Sequence, residues 1–192
     1  MIRLLDIIFS FFGLLILSPL LLLIAVWVKL DSQGPVFYRQ VRVGRFGKDF
    51  RLFKFRSMRV NADKSGLLTV GGRDPRVTNA GYYLRKFKLD ELPQLLNVLA
   101  GDMSLVGPRP EVRKYVELYS PEQKNVLNVR PGITDIASIE YKKENELLAG
   151  SPDPEYTYIH EVMPEKLRLN QIFINNPSAW NYIKIIWRTV FG

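Results

Sequence analysis

The chain contains no cysteine and a single histidine, and these two gaps exclude much common enzyme chemistry. Without cysteine there are no disulfides and no thiolate metal ligands. With His160 as the one histidine, a metal site built from several histidines is excluded and a Ser-His triad has a single candidate base. Acidic residues are also few, because 19 Asp and Glu stand against 27 Lys and Arg, for a formal net charge of +8. This excess indicates anionic partners, which are phosphate-bearing ligands, acidic lipid or nucleic acid.

Charge is absent altogether from the 22 residues between Ile7 and Val28, of which 16 are Leu, Ile, Phe or Val. As a helix, a run of this length would be ~33 Å long, about the thickness of the hydrocarbon core. Its composition favours insertion into a membrane by roughly 5–10 kcal/mol. We therefore expect a membrane helix at residues 1–30 and one folded domain at residues 31–192.

A proline in the middle of this run predicts a broken helix. Pro19 cannot donate to the carbonyl of Leu15, and the Ser18 hydroxyl is close enough to bind the oxygen that is freed. Basic residues flank both ends, with Arg3 before the run and Lys29 after it, so the positive-inside rule draws both ends toward the cytoplasm. A re-entrant helix broken at Ser18 and Pro19 satisfies both ends, whereas a kinked spanning helix stays open as an alternative.

Two short runs after the membrane segment, Val36–Val43 and Phe50–Phe55, alternate apolar and basic residues around a glycine-containing turn. This pattern predicts a β-hairpin. Residues 29–59 hold nine Lys or Arg and two Asp. A basic strip with interleaved aromatics can bind nucleic acid, but its place beside a membrane segment favours anionic headgroups or bound phosphate.

The rest of the chain is predicted to be mostly helical. A polar loop is expected at residues 60–73, and helices are expected at 79–87, 111–128 and Met163–Ile174. The tail from Trp180 to Phe191 is amphipathic, which suits a helix lying on the bilayer or one packed on the core. The predicted fold class is α+β, mostly helical, with a re-entrant membrane helix, a small β-hairpin and amphipathic interfacial helices around one compact domain.

The most informative segment is residues 88–111, which read KLDELPQLLNVLAGDMSLVGPRPE. Asp90 and Glu91 are adjacent carboxylates at the predicted start of a short helix, because Pro93 suits a first helical turn. An N-cap position would place Asp90 where free N–H groups and the helix dipole favour negative charge. The Gly-Pro-Arg-Pro turn that follows fixes the guanidinium of Arg109. Such an arrangement suits magnesium-assisted chemistry on a phosphate, whereas an ordinary capped helix with solvated arginines is the alternative.

Two further arginines lie near this segment in sequence. Arg85 precedes Asp90 by five residues and reaches the same cleft only if the chain bends near Lys88. Arg130 opens an Arg-Pro-Gly turn that presents another guanidinium. Arginines of this kind would neutralise the charge of a bound diphosphate.

Five strings in the chain, in this order and spacing, resemble the signature of the bacterial sugar transferase family, the monotopic phosphoglycosyl transferases. The resemblance covers roughly residues 3–135. The strings are GPVFYRQVRVG at 34–44, FKFRSM at 53–58, DPRVT at 74–78, the segment at 88–111 and RPGIT at 130–134.

This resemblance implies a membrane enzyme, with its helix re-entrant in the bacterial inner (cytoplasmic) membrane and its catalytic domain on the cytoplasmic face. The implied reaction moves a sugar 1-phosphate from a nucleoside diphosphate sugar, usually a UDP-sugar, to polyprenol phosphate. The products are UMP and a polyprenyl diphosphosugar, which initiates glycoconjugate or exopolysaccharide assembly. By analogy Asp90 is the nucleophile, forms a phosphosugar-aspartyl intermediate and contacts Mg²⁺, while Glu91 orients the metal or assists proton transfer.

The resemblance also suggests roles for four arginines. Arg109 and Arg130 are expected to bind the nucleotide or diphosphate, and Arg56 and Arg85 the acceptor phosphate or sugar phosphate. The expected partners are a UDP-sugar, polyprenol phosphate and membrane lipids, without nucleic acid, and the sequence leaves open whether the chain forms a homo-oligomer.

One departure from the family pattern bears on specificity. After RPGIT many members continue with glycine, whereas this chain has Asp135, and the sequence therefore predicts no particular donor sugar. Two competing hypotheses stay open. One is a non-catalytic membrane-anchored adaptor that binds lipid or nucleic acid through residues 29–59, and the other is a conventional glycosyltransferase, which would release UDP in place of UMP.

Overall fold

The first helix, α1, spans Ile2–Asp31 in a computed structural model that describes residues 2–62 and 74–191. It continues through Ser18 and Pro19 without interruption, so the predicted break does not end the helix. The reason is local, since the Ser18 hydroxyl donates to the Leu15 carbonyl over 2.8 Å, as predicted. Within the described residues α1 is the helix that is long and apolar enough to cross a membrane. Its middle is exposed, and Ile16 has 73% of its surface accessible.

Polar contacts fix the start of α1 to the folded domain. The buried Asp6 carboxylate accepts hydrogen bonds from the Ser104 hydroxyl at 2.8 Å, the Leu105 N–H at 2.9 Å and the Tyr182 hydroxyl at 2.6 Å. Arg3 lies 3.9 Å from the same carboxylate. Asp6 therefore bonds to residues of the domain and lies within ion-pair distance of Arg3.

The end of α1 packs on the same domain. Ile24 and Val28 are buried against Phe55 and Leu84. Asp31 accepts a hydrogen bond from the Ala80 N–H at 3.0 Å. Both ends of α1 thus contact one body, while many of the large apolar side chains between them, such as Ile16 and Leu22, are exposed.

A β-hairpin follows, as predicted, with β1 at Phe37–Val43 and β2 at Asp49–Phe55 in antiparallel register. Tyr38 pairs with Lys54, so the alternation of the strands places both on one face. The next element, α2, spans Asn79–Lys86 and agrees with the predicted helix at 79–87. Most of the predicted loop at 60–73 lies outside the described residues.

Two short parallel strands, which the sequence pattern did not reveal, bring distant motifs together. They are β3 at Ser104–Val106 and β4 at Gly132–Thr134. Their ends pack backbone to backbone, because a Cβ atom on Gly107 would lie 2.4 Å from the Arg130 carbonyl oxygen. The close approach requires glycine and places the Gly-Pro-Arg-Pro turn beside the Arg-Pro-Gly turn.

The remaining elements are helical and enclose the largest apolar cluster. The predicted helix at 111–128 is wrong, because the chain turns at Ser120-Pro121 and forms two short pieces. Helix α3 spans Gln94–Ala100, and the other helical elements are α4 at Arg113–Val116, a 3-10 helix at Gln123–Asn128, α5 at Ile136–Glu140, α6 at Glu144–Ala149, α7 at Pro154–Thr157, a π-helical turn at Tyr158–Val162, α8 at Met163–Asn175 and α9 at Ala179–Phe191. The predicted α+β, mostly helical class is confirmed.

Helix α9 divides into two faces. Tyr182 and Ile185 are buried against Val106, so one face packs on the core. Trp180 and Trp187 on the helix are 74% and 63% exposed. One face of α9 thus packs on the core, as one of the two predictions for the tail has it. The exposed tryptophans of the other face suit the second prediction, a helix lying on the bilayer.

Candidate active site

A sharp bend in the backbone presents the two adjacent carboxylates. Lys88 adopts a left-handed conformation with φ of 55°, which ends α2 and redirects the chain, so the predicted bend near Lys88 is confirmed. Asp90 and Glu91 follow in a 3-10 turn at Leu89–Glu91. The predicted N-cap role of Asp90 is wrong, because α3 begins only at Gln94, after Pro93, and no side chain caps it.

The carboxylates line a cleft of about 600 Å³ that is rich in positive charge. The hairpin forms one side of it, and the buried Asn97 of α3 holds the hairpin in place by accepting from the Phe53 N–H and donating to the Arg51 carbonyl, each over 2.9 Å. The basic residues that line the cleft near the carboxylates are Arg42, Lys54, Arg85, Lys88 and Arg109.

Glu91 is the centre of an ion-pair network. Its Oε1 accepts from the Lys54 ammonium at 2.8 Å and from the Arg109 Nη2 at 2.5 Å, and its Oε2 lies 3.3 Å from the Arg109 Nη1. Burial alone would raise the pKa of Glu91, yet the charges of Arg109 and Lys54 hold that pKa well below its usual range. Glu91 is therefore ionised and fixes two cations beside Asp90.

Asp90 also lines the cleft, but its bonding differs from that of Glu91. It is 7% exposed, and within the described part of the chain it makes no ion pair or hydrogen bond through its side chain. Burial raises the pKa of Asp90, and the charge of Lys54 opposes that rise while Glu91 adds to it. A buried carboxylate that faces a basic cleft without a bonded partner is a candidate nucleophile or metal ligand.

The backbone of Arg109 is held as firmly as its side chain. The Arg109 N–H donates to Asp135 Oδ2 over 3.0 Å, and Oδ1 of the same carboxylate accepts from the Ser138 N–H over 2.5 Å. The interactions with Glu91 and Asp135 raise the pKa of Arg109, so it stays charged. Asp135, which departs from the family pattern, therefore joins the Arg109 turn to the start of α5.

The four arginines singled out from the sequence fall into different surroundings. Arg85 and Arg109 line the cleft, and the positive charge of each acts on Asp90. Arg56 borders the cleft, but its Nη atoms donate to carbonyls at and just after the end of α1, at 3.1 Å to Val28 and 2.6 Å to Ser32. Phosphate binding by Arg56 stays a prediction, and its contacts show an anchor for α1.

Arg130 is placed away from the cleft. Its Nε donates to the Gly101 carbonyl at the end of α3 over 2.8 Å, and it is absent from the residues that line the cleft in the described part of the chain. Its expected contact with nucleotide or diphosphate stays a prediction without support from this arrangement.

The sequence matches the bacterial sugar transferase family across residues 1–192. The chain belongs to this family. It is 40% identical over 193 residues to the UDP-glucose:undecaprenyl-phosphate glucose-1-phosphate transferase of Klebsiella pneumoniae, covering 98% of this chain and 39% of that protein. It is 38% identical over 188 residues to the UDP-N-acetylgalactosamine-undecaprenyl-phosphate N-acetylgalactosaminephosphotransferase of Aeromonas hydrophila, covering 96% of this chain and 41% of that protein.

A third relative is closer in length. The chain is 38% identical over 191 residues to the UDP-glucose:undecaprenyl-phosphate glucose-1-phosphate transferase of Caulobacter vibrioides, covering 98% of this chain and 67% of that protein. The chain thus spans about two fifths of the length of the first two relatives. The family membership predicted from the five strings is confirmed.

The relatives are named for UDP-sugars, and the diphosphate of such a donor is a group that Mg²⁺ commonly binds. Among residues 2–62 and 74–191 no group of three or more acidic or histidine side chains could hold an ion by itself. Mg²⁺, however, commonly takes one or two carboxylates and completes its shell with substrate phosphates and water. Asp90 fits this pattern, because it is the carboxylate of the pair that is not engaged by a cation.

Several residues of the cleft escaped sequence reasoning. Lys54 contacts Glu91 directly, and Arg42 donates to Glu111 at 3.4 Å on the same face of the hairpin. The Tyr158 hydroxyl also donates to Glu111. Burial raises the pKa of Tyr158 well above its usual value, and the negative charge of Glu111 raises it further. The alternation of the predicted strands would have placed Lys54 and Arg42 on one face, but it does not reveal which element that face meets.

Proposed function

We propose that this chain transfers a sugar 1-phosphate from a UDP-sugar to polyprenol phosphate and releases UMP and a polyprenyl diphosphosugar. Relatives at 38–40% identity carry names that describe reactions of this kind with undecaprenyl phosphate. The single observation that carries the proposal is the state of the two adjacent carboxylates Asp90 and Glu91, the dyad. Asp90 is buried and without a bonded partner among the described residues, beside a Glu91 that holds Lys54 and Arg109.

The proposed reaction has two displacements at one phosphorus. A carboxylate oxygen of Asp90 attacks the phosphorus that bears the sugar, the bond to the UMP oxygen breaks, and a phosphosugar-aspartyl intermediate forms. A phosphate oxygen of the polyprenol phosphate then attacks the same phosphorus and releases the Asp90 carboxylate. Neither displacement needs a proton from the enzyme, which agrees with a Glu91 that is held ionised.

The cations of the cleft supply the electrostatic part of this mechanism. A carboxylate is a weak nucleophile toward an anionic diphosphate, so the negative charge of the diphosphate must be neutralised before attack. Arg85, Lys54 and Arg109 border the space in front of Asp90. A Mg²⁺ ion bound by Asp90 and the donor phosphates would add Lewis-acid neutralisation of the same charge.

The contacts of α1 support a re-entrant membrane helix. Its start is bonded to Ser104, Leu105 and Tyr182, and its end packs on α2 and β2. A helix whose two ends contact one folded body cannot place them on opposite sides of a bilayer. We therefore propose that α1 dips into the bacterial inner membrane and returns, with the catalytic domain on the cytoplasmic face.

The released nucleotide tests the proposed function. Purified protein is incubated with UDP-sugars, Mg²⁺ and polyprenyl phosphate in detergent, and the nucleotides are separated by chromatography. The proposal predicts that UMP is the nucleotide released and that its repeated release requires the polyprenyl phosphate. Release of UDP would instead indicate a conventional glycosyltransferase, and release of no nucleotide from any donor would favour a non-catalytic adaptor.

A further inference from the structure

The cleft has a second wall whose chemistry differs from that of the basic one. This wall comes from α5, α6 and the turn between them, and its polar lining residues include Ser138, Tyr141 and Asn145. All three side chains are uncharged. Within residues 2–62 and 74–191, none of the three side chains forms a hydrogen bond with another residue.

The charged residues that line this side of the cleft in the described part of the chain are Lys142, Glu144 and Lys166. The Lys166 ammonium lies 2.7 Å from the Glu144 carboxylate, so these two cancel each other. Lys142 is exposed. Hydroxyl and amide groups with free hydrogen-bonding capacity suit a neutral, hydroxyl-rich ligand, whereas the guanidinium and ammonium groups of the first wall suit phosphates.

The second wall is held in a fixed position relative to the dyad. Asp135 bonds to the Ser138 N–H on one side and to the Arg109 N–H on the other, and it is 2% exposed. Arg109 in turn bonds to Glu91, the neighbour of Asp90. Ser138 is therefore connected to the dyad through two residues, and a fixed wall lowers the cost of ordering a ligand against it.

We propose that Ser138, Tyr141 and Asn145 form the subsite that reads the sugar of the donor, an inference that rests on the proposed function. The phosphorus attacked by Asp90 bears the sugar, so the sugar lies beside the dyad when the donor is bound. It is also the neutral, polyhydroxylated part of the donor, which matches the free groups of this wall. Relatives of similar identity are named for glucose and for N-acetylgalactosamine, so the donor sugar differs between relatives at 38–40% identity to this chain.

The test compares donor preference in wall variants. Values of kcat/KM are measured for UDP-glucose, UDP-galactose and their 2-acetamido counterparts with Ser138→Ala, Tyr141→Phe and Asn145→Ala, together with the inhibition constant of UMP. Glu146→Gln is the matched control, because Glu146 is exposed on α6 and does not line the cleft. Asn145 is also exposed, so its truncation tests the wall without disturbing the core.

We expect at least one wall variant to change the ratio of kcat/KM between two donors by about three- to tenfold, the effect of one lost hydrogen bond. The inhibition constant of UMP should stay unchanged, since UMP lacks the sugar, and Glu146→Gln should keep the wild-type ratio. Equal losses for all donors, unchanged ratios in all three variants, or a weaker UMP affinity would overturn the inference alone. A wild-type chain that releases no UMP from any donor would overturn the proposed function as well.

Discussion

Asp90 and Glu91 are adjacent in sequence and have opposite electrostatic settings. Glu91 is bonded to Lys54 and Arg109, whereas Asp90 faces the cleft without such a partner among the described residues. Two carboxylates in different environments have different pKa values and can serve different roles. The structure thus supports a division in which Glu91 organises the cations and Asp90 is left for chemistry.

Replacing Glu91 with glutamine should destabilise the fold. Glu91→Gln leaves the ammonium of Lys54 and the guanidinium of Arg109 without their counter-charge in a largely buried site, so we expect the free energy of unfolding to fall by about 3 kcal/mol at pH 7. Because the pKa of Glu91 is depressed in the folded state, its contribution is present above the unfolded value of about 4.3 and is lost as the pH falls through the folded value. Denaturant unfolding in detergent measures both effects.

An exposed ion pair provides the control for that measurement. Glu140 lies 3.2 Å from Arg188, and both side chains are about half exposed, at 50% and 46%. Glu140→Gln should change the free energy of unfolding by less than about 0.5 kcal/mol. Equal effects of the Glu91 and Glu140 substitutions would contradict the structural role given to Glu91.

The pH dependence of activity reports on Asp90. Burial raises the pKa of Asp90 and the charge of Lys54 opposes this, and attack requires the ionised carboxylate. Activity should therefore decline as the pH falls through a value above the ordinary one for aspartate. In Lys54→Gln the acidic limb of kcat/KM should move to higher pH by about one unit.

A second substitution on the same strand separates this local effect from a general loss of charge. Arg51 is exposed on β2 and does not line the cleft, so Arg51→Gln should leave the acidic limb in place. A limb that stays fixed in Lys54→Gln, or that moves to lower pH, would show that another group controls the profile.

At the level of elements, the sequence predicted what depends on local pattern. The hairpin, α2, α8 and α9 follow from alternation or helical periodicity, and each was found within a few residues of its predicted bounds. The strands β3 and β4 were missed, because three-residue strands exist only through pairing between distant segments.

The candidate site shows the same limit. The N-cap prediction for Asp90 failed because Asp90 lies in a 3-10 turn and α3 begins only at Gln94, after Pro93. Lys54 was missed because nothing in a single strand shows that its face meets Glu91. Arg109 was found because rigid prolines flank it in the sequence.

Asp135 offers a test of how elements are positioned. Asp135→Ser should keep the cap of α5, since serine can accept from the Ser138 N–H, but it loses the bond to the Arg109 N–H. We expect kcat/KM to fall about tenfold for loss of this hydrogen bond. Asp153→Ser is the control, because Asp153 caps α7 through the Tyr156 N–H at an exposed position. Full activity in Asp135→Ser would mean that the bond to Arg109 has no role.

At the level of the whole molecule, the account predicts that both ends of α1 lie on the same side of the membrane. The chain has no cysteine, so single cysteines can be placed without background labelling. Leu4 and Leu30 are exposed near the two ends, at 62% and 80%. With Leu4→Cys and Leu30→Cys, a membrane-impermeant maleimide should label both in inside-out vesicles and neither in intact cells. Labelling of Leu4→Cys from outside would establish a spanning helix.

The most direct measurement is the trapping of a covalent intermediate. Protein incubated with a UDP-sugar and Mg²⁺, without polyprenyl phosphate, is digested and analysed by mass spectrometry, and UMP is counted. The account predicts up to one UMP per active site and a phosphosugar adduct on Asp90, with neither in Asp90→Asn. An adduct on another residue, or full turnover by Asp90→Asn, would contradict it.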